Sequence, residues 1–163
     1  MQTLEKWLKA RGPTLGQLLN NEQETIHSMV SSQLSASFPA LCYDPTRFDA
    51  LSFQQLAYYK TPHRFQGILQ TVFRFSTLRA LERSYQWSWG VLPRYGVTKA
   101  HYITQARFSF DAIRDAVYLN QEDRTGINAL EHEILHIIEQ TTSNQTNGKS
   151  HQPLLPSHFR QQN

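Results

Sequence analysis

Apolar residues recur every three to four positions along most of this chain, and that spacing predicts helices almost throughout. Thr14 with Gln17 and Asn21 with Glu24 have capping-box spacing, so either pair could open a first helix running to about Phe38. Pro39 and the stretch Cys42-Tyr43-Asp44-Pro45 break it, and a short helix is expected from about Arg47 to Tyr59. Thr61-Pro62 reads as a new start, a hydroxyl cap followed by proline at the first helical position. The segment from there to about Leu92 is apolar on more than one face, as expected of a helix in the middle of a bundle.

Pro93 and Gly96 end that segment, and Thr98 caps a helix with the stripe Tyr102, Ile103, Ala106, Phe110, Ile113 and Val117. Asn120 to Gly126 reads as a tight connection to a last helix. After Ser143 comes a polar tail without acidic residues, whose composition predicts disorder. Val97 and Phe108-Ser109-Phe110 are the best candidates for strand, and helical periodicity accounts for the latter. The expected fold is all-α: one bundle of about five helices over residues 1–142, possible in globin-like form, with a disordered tail over 143–163.

The single cysteine, Cys42, excludes an intramolecular disulfide and a multi-cysteine metal cluster; it lacks an evident histidine or cationic neighbour and reads as inert. The N-terminus lacks a signal-peptide core and no apolar run reaches membrane-spanning length, so a cytoplasmic location is expected and no membrane partner. The formal charge is +3, modest for a nucleic-acid binder. Its distribution is uneven. Lys60, Arg64, Arg74, Arg79, Arg83, Arg94, Lys99 and Arg107 are opposed only by Glu82 in their stretch. Asp111, Asp115, Glu122, Asp123, Glu131, Glu133 and Glu139 then dominate the next. The basic residues follow no single helical face. The expectation is therefore charge complementarity within the domain or across a dimer, with nucleic acid disfavoured.

His132-Glu133-Ile134-Leu135-His136 matches H-E-x-x-H, in which two histidines one helical turn apart bind zinc and the glutamate serves as general base. A zinc hydrolase is therefore an alternative reading, with Glu133 catalytic and His132 and His136 as ligands. Three features oppose it. No acidic residue follows Glu139, and Thr142 stands where a third histidine would be needed, leaving only His151 and His158 in the tail. No strand is evident to hold a substrate. Projected at 100° per residue, Ile127, Leu130, Ile134, Ile137 and Ile138 form the apolar stripe, and the two histidines fall opposite it.

Tyr85, Trp87, Trp89 and Tyr95, beside Arg83 and Arg94, concentrate aromatic surface. They are readable as a pocket for a flat ligand, haem or bilin-like, but core packing is the favoured reading, because alternate residues on a helix cannot line one wall. His101 is the candidate axial ligand in the haem version. Phe108, Tyr118 and Leu119 lie off the main stripe of their helix and suggest a second surface for a protein partner or another copy.

Several runs resemble the RsbR-type non-haem globin-like N-terminal domains of bacterial stress-signalling regulators. They are Phe38-Pro39-Ala40-Leu41, Leu81-Glu82-Arg83-Ser84-Tyr85 leading to Trp87, Leu92-Pro93-Arg94-Tyr95-Gly96-Val97-Thr98, Phe110-Asp111-Ala112-Ile113-Arg114 and Ala129-Leu130-Glu131. The resemblance covers about two thirds of the chain through packing and turn residues, and implies a sensory or scaffolding module, often dimeric, without enzymatic activity. The expected function is a non-catalytic regulatory interaction module without a cofactor.

Overall fold

The computed structural model describes residues 3–38, 41, 46 and 49–144, and every regular element among them is helical. The all-α, single-domain expectation holds. Cys42, His151, His158 and the expected disordered tail from 145 onward lie outside the described residues.

Helix α1 spans Leu4–Asn21, capped by the Thr3 side chain, which accepts from the Lys6 N–H. It begins earlier than Thr14, which lies inside it, and runs through Pro13, whose missing N–H it tolerates on the exposed side. Glu22 alone separates it from α2, Gln23–Ala36. Helix α3, Ala50–Gln54, is capped by the Asp49 carboxylate, which accepts from the Ser52 N–H at 2.8 Å. It continues through a π-helical segment, Gln55–Lys60, into α4, Thr61–Phe75. Thr61 is therefore not a free cap; its hydroxyl donates to the Ala57 carbonyl at 3.0 Å. Pro62 has no N–H to offer the Tyr58 carbonyl, and the helix widens just before it.

The expected helix from 61 to 92 is two helices. Ser76 adopts a left-handed conformation (φ 52°) that ends α4, its hydroxyl donating to the Leu8 carbonyl, and α5 runs from Arg79 to Val91. A 3₁₀ turn, Leu92–Tyr95, closes on Gly96 at φ 90°, which a residue with a Cβ would resist. Helix α6 spans Lys99–Ala116 and α7 spans Gln121–Asn144. The Asn120 side chain accepts from the Asp123 N–H and starts α7 five residues before the expected Gly126.

α6 packs between α2 and α7, while α4 packs on α1 and α5, with α7 also against α1 and α5. The buried side chains of all of these join one core. Tyr102, Ala106, Phe110, Ile113 and Val117 of the predicted stripe are buried, as are Ile127, Leu130, Ile134, Ile137 and Ile138. Each fully buried Leu, Ile or Phe contributes about 1.5–3 kcal/mol. No helix of the described residues is long and apolar enough to cross a membrane.

Candidate partner-docking face

The turn at Ser76 folds α4 and α5 into an antiparallel hairpin, and that reversal gathers basic residues which look scattered along the sequence. On α4 the exposed positions His63, Arg64, Gly67, Arg74 and Phe75 recur at helical spacing. On α5 the exposed positions are Arg79, Glu82, Arg83, Gln86, Trp87 and Gly90. The Arg64 guanidinium lies over the Trp87 ring, 4.3 Å from its centroid, which joins the outer surfaces of the two helices. Arg74 lies 5.5 Å from the Phe75 ring centroid. Both rings stay open, Trp87 at 52% and Phe75 at 63% of their full exposure. Arg94 and Tyr95, in the 3₁₀ turn after α5, are exposed as well.

The two charge stretches meet in a single ion pair among the described residues. Arg114 holds Asp111 and Glu131, Arg11 holds Asp123, and Lys99 holds Glu139, so most of the acidic stretch is already paired. Among the described residues, Lys60, Arg64, Arg74, Arg79, Arg83 and Arg94 form no ion pair. Among the described residues, only Lys99 links the basic stretch to the acidic one. The expected internal complementarity is therefore largely unmet at the α4–α5 hairpin. The expectation that the basic residues follow no single helical face did not allow for the break between α4 and α5, which resets the angular phase.

The aromatic group read as a possible flat-ligand pocket divides in two. Tyr85 is buried and Trp89 half-buried, each packed on Tyr102 with ring centroids 5.6 Å apart, while Trp87 and Tyr95 face outward. Burial pushes the Tyr102 hydroxyl up to about 12 and raises that of Tyr85 further. Tyr85 is thus no part of an exposed surface. Neither is Leu119: Val117 leaves helical geometry (φ −110°, ψ 130°), and the chain turns Leu119 into the core. Phe108 is half-buried against that core, and Tyr118 alone of the three stands free, 92% exposed.

His132 and His136 face solvent, as the helical projection predicts, and Glu133 is half-buried. His136 Nε2 contacts the Gln140 amide at 2.7 Å. No group of three His, Cys, Asp or Glu side chains among the described residues could hold a metal ion. His101, the candidate axial ligand, is buried with its ring edge-to-face on Phe53. Its Nδ1 accepts from the Thr98 N–H at 2.8 Å, which places the proton on Nε2. The sequence reading missed its capping role, although Thr98 three residues ahead of a polar side chain was the signal.

No family model, curated protein or solved structure matches this chain.

Proposed function

We propose that this protein is a non-catalytic interaction module that docks an acidic protein partner on the outer face of the α4–α5 hairpin. The observation that carries this reading is the set of unpaired arginines around an exposed tryptophan, with Arg64 lying over the Trp87 ring. Trp, Tyr and Arg are the residues most enriched where interface energy concentrates, and here arginine outnumbers lysine among the basic residues of the hairpin. That composition suits a protein surface better than a phosphate backbone, for which a charge of +3 is small. A second copy of the chain is a poorer fit, since its acidic stretch is mostly paired internally. The regulatory role implied by the RsbR-type resemblance agrees with such a module.

The test is fluorescence anisotropy with a labelled acidic amphipathic peptide. Binding that weakens with salt, and falls at least about tenfold in the Arg64→Glu/Arg83→Glu double variant, supports the reading. Equal binding by the double variant overturns it. Binding to a single-stranded oligonucleotide but not to the peptide reassigns the face to nucleic acid.

A further inference from the structure

Two histidines meet where α2 packs on the start of α4. His27 of α2 and His63 of α4 hold their ring centroids 5.3 Å apart, with the rings nearly perpendicular at 89°. The pair lies at the surface, His63 exposed and His27 half-buried, so an ion in solution can reach it. Arg64, the next residue after His63, does not crowd it, because its guanidinium is held over the Trp87 ring of α5.

His27 is held in the form that a metal needs. Its Nε2 lies 3.2 Å from the Tyr59 carbonyl oxygen, which can only accept, so Nε2 carries the proton and Nδ1 keeps its lone pair. A ligating histidine almost always donates its other ring N–H to a carbonyl or carboxylate in this way, which fixes both ring and tautomer. The His63 ring makes no hydrogen bond among the described residues and can turn a nitrogen toward the same point.

The spacing fits a shared ion. With metal–nitrogen bonds of about 2.0–2.1 Å and a tetrahedral angle between them, two ligating imidazoles have centroids about 5 Å apart. No third His, Cys, Asp or Glu completes the set among the described residues, so the other coordination positions fall to water. Two imidazoles select zinc, copper or nickel over magnesium and calcium, which prefer oxygen. We propose that His27 and His63 form a two-histidine site for an imidazole-preferring divalent ion, with Zn²⁺ as the probe ion, which clips α2 to α4. The site is separate from His132 and His136 on α7 and gives no support to a hydrolase.

The experiment is a ZnCl₂ titration of the full chain, stripped of metal with a chelator and followed at the imidazole nitrogens by ¹H–¹⁵N correlation. His132→Ala/His136→Ala is the background, which removes the rival pair on α7. The expected result is saturable shifts at the His27 and His63 rings with one common midpoint, His27 Nε2 still protonated, and none with MgCl₂. His63→Ala, at an exposed position, is expected to weaken zinc at His27 at least about tenfold, since one of two ligands is gone. An ion that binds only the folded chain stabilises it, so zinc is expected to raise the melting temperature of the background protein and not of its His63→Ala variant. Absence of shifts at either ring, different midpoints at the two rings, or undiminished zinc binding at His27 in the His63→Ala protein overturns the proposal.

Discussion

The indole of Trp7 on α1 lies directly against Gly126 on α7, so closely that a Cβ at position 126 would overlap the ring carbons. Gly126 is helical and buried, where alanine would otherwise be the better residue by about 1 kcal/mol. Gly126→Ala is expected to destabilise the protein by about 1–3 kcal/mol, because the overlap falls on a buried ring rather than a flexible chain end. Gly90→Ala is the control. Nothing lies within 4 Å of its added Cβ, and the substitution is expected to stabilise α5 by about 0.5–1 kcal/mol in urea unfolding. Equal effects at the two sites would show that Trp7 does not seat on Gly126.

Arg11 and Asp123 tie the same two helices by a two-pronged ion pair at 2.9 and 2.7 Å, with the Asp123 side chain 4% exposed. Asp123→Ala is expected to cost about 2–4 kcal/mol, below the full value of a buried pair because the arginine side is partly wet. Hydrogen bonds from Arg11 hold the Asp123 carboxyl below its ordinary 3.8. The unfolded state therefore takes up the proton first as pH falls. The stabilisation is complete above about pH 4 and is lost as pH drops through the folded value. Acid titration of the Asp123→Ala variant, followed by circular dichroism, is expected to lack that part of the transition.

His101 gives a second, separate pH dependence at milder acidity. Burial lowers its pKa from 6.5 to about 4, so between those values the unfolded chain binds a proton that the folded chain excludes. Stability is full above about pH 6.5, declines as pH falls, and levels off below about pH 4. The expected loss across that window is about 1–3 kcal/mol. In the His101→Gln variant the slope of unfolding free energy against pH should flatten between those values. An unchanged slope would assign the dependence to other groups.

Much of the fold was legible because its helices carry clear apolar stripes. Ile127, Leu130, Ile134, Ile137 and Ile138 identify the buried side of α7 and place His132 and His136 in water. The turn at Ser76 was hidden because it uses a left-handed serine rather than glycine or proline, and apolar residues continue on both sides of it. That omission concealed the candidate face, which depends on the chain reversing between Arg74 and Arg79. Leu119 was misplaced for a related reason: a helical projection was carried past Ala116, where the helix ends. The Arg11–Asp123 pair joins residues far apart in the chain, and no local pattern announces such a partner.

The charge and the aromatic surface of the hairpin separate function from stability. Arg64→Ala is expected to change unfolding free energy by no more than about 1 kcal/mol, since it loses one exposed cation–π contact. The same variant is expected to lose peptide binding, so a stable, folded protein that no longer docks is the anticipated phenotype. A large loss of stability would instead make Arg64 a structural residue.

The most direct measurement of the central claim is ¹H–¹⁵N mapping of the full chain with the acidic amphipathic peptide. The account predicts saturable shifts at Arg64, Arg79, Arg83 and the Trp87 indole N–H, with Trp7 unchanged in the core. Shifts confined to α7, or none at all, would contradict it.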